Sequence, residues 1–404
     1  MIKNKLQKFP STRVDQSGLS LVELLIAMAL GVIIVAALAQ LFVGISRNNM
    51  EMSKTNTQIE SARFAMEFIR EELVHAGFWG FHAPEFDDLS LGLGEKPVDT
   101  PQEVPDPCLD FVSWDQAHVD QLIGIPVAVY NPTTPPDPNV PYTCDSIVQD
   151  RLDGTDVLVV RHANTCEPGV GDCEDTGNPA QLYLRTSLCE SDPPNTSPPV
   201  TGGRPYKLDT SYDPSELIRS LDCAGPAPRR TFEQTIFFVQ DDPNDPTGLP
   251  TLMRSEFTYN GVDVGQSPAV PLIEGVDGFR IELGVDDRSE PYPGEPTGTP
   301  ADPNSPIDWL DTEDWSTPKN RGDGIPDGPF VHCGSGCNSF QLVNAVVARI
   351  HILVRANEAS AGYTDDKTYV LGTLNVPAFN DSFKRHAFTS TVRLNNVAAR
   401  RETP

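Results

Sequence analysis

From Leu24 to Ser46 the chain carries 23 consecutive residues without a charged side chain. As one helix, that is long enough to span the hydrocarbon core of a bilayer. The apolar run is wider still, from Leu19 to Ile45, broken only by Glu23 and Gln40. No water-soluble layer architecture has an obvious place for such a segment, so it constrains the chain more than any other feature. Lys3, Lys5, Lys8 and Arg13 precede it against Asp15 alone. The positive-inside rule then keeps the first 18 residues in the cytoplasm and sends the bulk across. A cleaved secretory signal would have a shorter apolar core ending at small residues. This run ends in Phe42-Val43-Gly44-Ile45 and is expected to stay attached.

The remainder is acidic and rich in proline. A net charge of −27 over 404 residues argues against nucleic acid as a partner, since phosphate binding needs clustered Lys and Arg. It also argues against attachment to anionic lipid through basic patches. Hydrophobic residues make up 38%, enough to build a core, while 38 prolines predict long loops between elements. The eight cysteines are Cys108, Cys144, Cys166, Cys173, Cys189, Cys223, Cys333 and Cys337. None forms a C-x-x-C knuckle, so disulfides in an oxidising compartment are favoured over a metal site. Cys166 with Cys173 and Cys333 with Cys337 would close short loops. For the others, pairing between sequence neighbours is the simplest choice, and other connectivities stay open.

A carboxylate at the start of an apolar span is costly and usually has a partner. Glu23 stands in the context Ser17-Gly18-Leu19-Ser20-Leu21-Val22-Glu23-Leu24. The basic leader, the Gly, the apolar run and a Glu five residues after the Gly resemble the class III signal of type IV prepilins and type II secretion pseudopilins. That resemblance implies cleavage by a prepilin peptidase between Gly18 and Leu19, with N-methylation of Leu19. It further implies that Glu23 pairs with the N-terminal ammonium of a neighbouring subunit during assembly. The first mature residue is Leu here, where the family usually has Phe.

The helix is expected to continue beyond the apolar run. Ile59, Ala62, Met66, Ile69, Leu73 and Ala76 recur at helical spacing, with Phe68 widening the stripe. Arg63, Glu67, Arg70 and Glu71 supply the polar face. No proline falls between Leu19 and Ala76, so about 58 residues could run unbroken, ~87 Å at the usual rise. Gly77 is the expected stop, and the aromatic group Phe78-Trp79-Gly80-Phe81 is read as packing between helix and sheet. Strands are expected at 155–161, 181–184, 231–240, 251–259, 279–285, 345–355 and 386–394, with a hairpin turn at Asn260-Gly261. The Pro-rich stretches between them cannot enter a central sheet. The expected fold is α+β and pilin-like: a long N-terminal helix, transmembrane then amphipathic, packed on one antiparallel sheet with disulfide-closed Pro-rich loops. Its expected boundaries are a leader at 1–18, a transmembrane and assembly half at 19–46, an amphipathic half at 47–77 and a globular β domain at 78–404.

The C-terminal half adds Pro271-Leu272-Ile273-Glu274-Gly275-Val276-Asp277-Gly278-Phe279, the strand 346–355, and Phe388-Thr389-Ser390-Thr391-Val392-Arg393-Leu394-Asn395-Asn396. With Ala76-Gly77-Phe78, these are similar to PilW-type minor pilins. The resemblance implies a structural subunit that primes type IV pilus assembly and sits at or near the tip. Its implied roles are adhesion, twitching motility or DNA uptake. The implied partners are other minor pilins, the major pilin, the prepilin peptidase, the inner-membrane assembly machinery and, before assembly, lipid. The implied location is the bacterial inner membrane, single-pass with periplasmic bulk, then the cell-surface pilus. A J-type secretion pseudopilin and a pilus-presented adhesin are the alternatives.

Chemistry is sparse. Asp308, Asp311, Glu313 and Asp314 precede Arg321-Gly322-Asp323-Gly324-Ile325-Pro326-Asp327-Gly328, raw material for a calcium loop with Asp323 and Asp327 as the best ligands. The EF-hand pattern is absent, and a solvated acidic loop is favoured. No cofactor beyond that possible calcium is expected. Arg321-Gly322-Asp323 matches an adhesive tripeptide at a length where chance matches are common. The seven histidines are scattered without H-E-x-x-H, and Gly334-Ser335-Gly336 lacks the nucleophile-elbow frame. The chain is not expected to be an enzyme.

Overall fold

The computed structural model describes residues 20–84, 99–130, 144–173, 181–189, 204–210, 218–245, 247–259, 263–286, 324–334 and 337–399. The chain divides into two units, Met1–Thr55 and Asn56–Pro404. Helix α1 (Leu21–His75) contributes to both. In the first unit its large apolar side chains are exposed, Leu21, Ile26, Val35 and Phe42 among them. This helix is long and apolar enough to cross a membrane.

In the second unit the helix becomes one-sided. Ala62, Ala65, Ile69, Leu73 and Ala76 are fully buried, while Arg63, Glu67, Arg70 and Glu71 stay exposed. The buried line differs slightly from the expected one. Gln58 and Ala65 lie inside it, and Ile59 and Met66 are half-buried on its flanks. Gly77 ends the helix with φ +74°, its N–H donating to Arg161 O at 3.0 Å. A side chain there would crowd Pro126 and Val397.

The elements that follow are α2 (Gln116–Gly124), β1 (Val127–Tyr130), β2 (Val157–Ala163), β3 (Tyr183–Thr186), β4 (Tyr206–Asp209), β5 (Arg229–Gln240) and β6 (Thr251–Tyr259). Next come β7 (Val264–Gln266), β8 (Val270–Glu274), β9 (Val276–Val285), β10 (Val331–His332), α3 (Ser339–Val343) and β11 (Ala345–Arg355). The series closes with β12 (Tyr369–Leu371), β13 (Leu374–Val376), β14 (Arg385–Arg393) and α4 (Asn395–Ala398). All seven expected strands are present. The expected turn at Asn260-Gly261 lies outside the described residues, but β6 and β7 on either side pair antiparallel, Tyr259 opposite Val264.

One expectation is corrected. The strands form two main antiparallel sheets rather than one: an eight-stranded sheet containing β1 to β8, and a four-stranded sheet in the order β10-β9-β11-β14, beside a β12-β13 hairpin. The chain changes sheet at Gly275. This residue has φ +81°, a region open to glycine. Its N–H donates to Pro250 O, just before β6 of one sheet, and its carbonyl accepts from Arg355 N–H at the end of β11 in the other. A Cβ there would sit 2.9 Å from Arg355 O. The sequence shows two β-rich runs flanking this glycine but no sign that they belong to different sheets.

A single core joins the helix stripe to both sheets, including Ile69, Leu73, Leu158, Ile236, Phe237, Ile281 and Ile350. β2 is buried at every position, as a central strand covered on both faces should be. A second cluster forms around Trp79, which stacks on Phe232 with ring centroids 6.0 Å apart and donates Nε1–H to Ile123 O. The aromatic group after the helix therefore packs as expected at Trp79, whereas Phe81 is exposed.

Candidate assembly site

The residues that sequence reasoning singled out fall at the start of α1. Gly18 and Leu19 lie outside the described residues. Ser20 stands immediately before the helix. Its Oγ accepts from Val22 N–H at 3.3 Å, and its own N–H donates to Glu23 Oε2 at 3.1 Å. This is close to a capping box, in which a Ser and a Glu three residues on satisfy each other's orphan backbone donors. Within one chain Glu23 therefore caps α1, a role visible in Ser20-Leu21-Val22-Glu23 but missed when the sequence was read for assembly alone. Glu23 also belongs to the helix's first turn, where a carboxylate complements the macrodipole.

At the other end of α1, Asn396 at the start of α4 reaches back. Its Nδ2–H donors face the Val74, His75 and Ala76 carbonyls at 3.4, 3.4 and 3.1 Å. The last helical carbonyls are thus satisfied by a residue more than 300 positions away in sequence. Gln58 performs a similar task along the helix, donating Nε2–H to the carbonyls of Val354 and Lys384. Neither contact has a local signature.

The eight cysteines form four disulfides: Cys108–Cys144, Cys166–Cys173, Cys189–Cys223 and Cys333–Cys337. Asp106, Cys108 and Cys144 lie close enough to suggest a metal cluster. The two sulfurs are bonded to each other, however, and offer no thiolate. Asp106 Oδ1 instead accepts the Cys108 N–H at 3.0 Å. Of the calcium candidates, Asp308, Asp311, Glu313, Asp314 and Asp323 lie outside the described residues. Asp327 is half-buried and donates its backbone N–H to Val285 O at 3.0 Å, just past the end of β9.

Two carboxylate–histidine contacts tie elements together. His162 on β2 places Nε2 3.4 Å from Glu72 on α1 and 3.7 Å from Glu233 on β5. They border a cleft of about 190 Å³ whose lining includes Glu72, Glu233 and Glu256. His332 Nε2 lies 2.9 Å from the buried Asp156, which also accepts the Ile281 N–H at 2.8 Å. Through these contacts Glu72, Glu233 and Asp156 each link neighbouring elements of the fold.

Comparison with known families bears on the same two regions. Residues 13–39 match the prokaryotic N-terminal methylation motif, and residues 236–396 match PilW, described as type IV pilus-assembly protein W. Over these two stretches the chain is similar to PilW-type type IV pilins. The PilW match runs from β5 through β14 into α4 and takes in the Gly275 switch and the Asn396 cap. The methylation match covers Glu23 and the positions of Gly18 and Leu19. Among solved structures, a type IV-like pilin from Thermus thermophilus aligns over 60% of this chain and 78% of its own, at 10% identity and a TM-score of 0.26. No curated protein matches the chain. The methylation motif and the long apolar N-terminal helix together fit a membrane-anchored pilin.

Proposed function

We propose that this PilW-type chain is a minor pilin that primes pilus assembly from the inner membrane, with its globular unit in the periplasm before it enters the filament. The observation that carries the reading is the first unit of α1. Its apolar side chains are exposed along the whole run from Leu21 to Ile45, and an unpaired surface of that size needs lipid or other helices to cover it. Cleavage after Gly18 would leave the ammonium of Leu19 four residues before Glu23. Transfer of the helix from lipid to a filament core then places two costly charges together, each neutralising the other across subunits. The other pilins and the assembly machinery are the partners of that step, and the prepilin peptidase is its gate.

The test is the N-terminal mass of the full chain produced with and without a prepilin peptidase. The expected product with peptidase begins at N-methylated Leu19. An intact Met1 terminus in the presence of active peptidase overturns the reading. Pilus counts in a strain carrying Glu23→Ala separate assembly from display: the expected result is a loss of pili with normal processing.

A further inference from the structure

Glu72 and His75 stand three residues apart in the last turn of α1, so both belong to one side of the helix. His162 on β2 and Glu233 on β5 are directly opposed in the ladder, which puts their side chains on one face of the sheet. Two imidazoles and two carboxylates thus gather where the end of α1 meets β2 and β5. His162 Nε2 lies 3.4 Å from Glu72 Oε2 and 3.7 Å from Glu233 Oε2. Donor atoms that share a tetrahedral ion at its usual bond lengths are roughly 3.4 Å apart. The His75 and His162 rings have centroids 5.7 Å apart. Two imidazoles on one such ion have centroids roughly 5–6 Å apart. The Glu72 and Glu233 side chains are 20% and 36% exposed, which leaves each the freedom to swing onto an ion.

The outer hydrogen bonds set the chemistry of these donors. His162 Nδ1 lies 3.1 Å from Ala163 O, and His75 Nδ1 lies 2.9 Å from Glu71 O. A carbonyl only accepts, so in each neutral ring the proton sits on Nδ1 and the lone pair on Nε2. Metal-ligating histidines make this same outer bond, which fixes both tautomer and ring orientation. Glu233 is held in a like manner, its other oxygen accepting from Asn164 Nδ2. Among the described residues neither Glu72 nor Glu233 has a lysine or arginine partner, whereas Glu67 and Glu256 pair with Arg70 and Arg254. The cleft lined by Glu72 and Glu233 gives an ion its path in.

We propose that Glu72, His75, His162 and Glu233 form a Zn²⁺ site. Imidazole with carboxylate suits Zn²⁺, whereas Ca²⁺ and Mg²⁺ take oxygen ligands throughout. Four protein donors close a tetrahedral shell, so the site is structural rather than catalytic. The bound ion ties the end of α1 to β2 and β5, and it neutralises two carboxylates that otherwise share one histidine. The inference stands apart from the pilin reading, because the four residues meet within one chain and need no partner subunit.

The test is calorimetric titration of Zn²⁺ into the untagged full chain, solubilised in detergent and stripped of metal with a chelator. The expected result is one Zn²⁺ per chain and a melting temperature raised by at least about 2 °C at saturation. Ca²⁺ at the same concentration is expected to change neither. His162→Gln should abolish binding. His75→Gln, at a half-buried position on the helix, should weaken it at least tenfold and guards against loss of the fold in the first variant. His386→Gln, at an exposed position on β14, should bind as the parent chain does. X-ray absorption at the zinc edge should show a shell of nitrogen and oxygen without sulfur. No binding at sub-millimolar Zn²⁺, a sulfur shell, binding that survives both His75→Gln and His162→Gln, or equal loss in His386→Gln overturns the inference.

Discussion

Arg385 shows how much of this fold hangs on single buried charges. It is 3% exposed and bonds to Asp277 at 2.6 Å, Asp365 at 3.0 Å and Asp381 at 2.7 Å, with Phe379 3.6 Å beneath its guanidinium. Burial pulls its pKa down, but the bonds to Asp381, Asp277 and Asp365 outweigh that and hold it above its ordinary value. Its bond to Arg385 lowers Asp381, whereas burial raises Asp277 despite two arginines nearby. Removing one partner of such a group strands the others, at a cost of about 3–5 kcal/mol. Arg385→Ala is expected to lower the denaturation midpoint of the detergent-solubilised chain accordingly, with urea unfolding as the measure. Only Asp381, four residues before it, is local to Arg385; Asp277 arrives from β9 and Asp365 from the segment between β11 and β12.

At the scale of elements, the helix stripe and the sheet switch give opposite lessons. Leu73 is fully buried against both sheets, so Leu73→Ala should cost about 2–5 kcal/mol. Phe64 on the same helix is 54% exposed, and Phe64→Ser should change stability by no more than about 0.5 kcal/mol. Comparing the two urea midpoints checks which side of α1 carries the packing. Periodicity alone located that side to within one residue, because a 3.6-residue repeat leaves little freedom. Gly275→Ala is expected to destabilise the chain by more than about 1 kcal/mol, since the left-handed backbone and the Arg355 carbonyl both oppose a Cβ. A midpoint unchanged by that substitution would remove the switch role argued for this glycine.

Across the whole molecule, buried histidines set the response to acid. Burial lowers His82 to about 4, and burial with the nearby Arg161 lowers His118 to about 4. The unfolded chain takes up those protons near pH 6.5. It therefore binds more protons than the fold between about pH 4 and 6.5, and stability falls as pH drops through that window. His162 acts in the other direction. Burial lowers it, but Glu72, the Ala163 carbonyl and Glu233 raise it on balance. Its contribution is complete below about pH 6.5 and is lost as pH rises through the raised value. Burial also lowers His351. With three histidines lowered against one raised, the melting temperature should climb from pH 4 to 6.5, and His118→Phe should flatten the climb. Disulfide exposure predicts a separate order of events. Cys166 is exposed, whereas Cys144 and Cys333 are buried. Alkylation and mass spectrometry under mild reductant should find Cys166–Cys173 opened first, with the fold intact.

Residue order by itself determined the parts governed by local physics. An uncharged run of bilayer length, a Glu set five places after a Gly, a helical apolar repeat and runs of β-branched residues each declare themselves within a window of ten or twenty positions. They were enough to reach the helix, seven of the fourteen described strands and the likeness to pilins. Tertiary structure alone decided which strands share a sheet, that Gly275 joins two of them, and that Gln58 and Asn396 satisfy carbonyls brought to them by the fold. It also decided that Arg385 gathers three aspartates. Those outcomes depend on backbone groups and charges meeting across long sequence separations. Burial and hydrogen-bond satisfaction choose among many pairings there, and the sequence pattern treats them as alike.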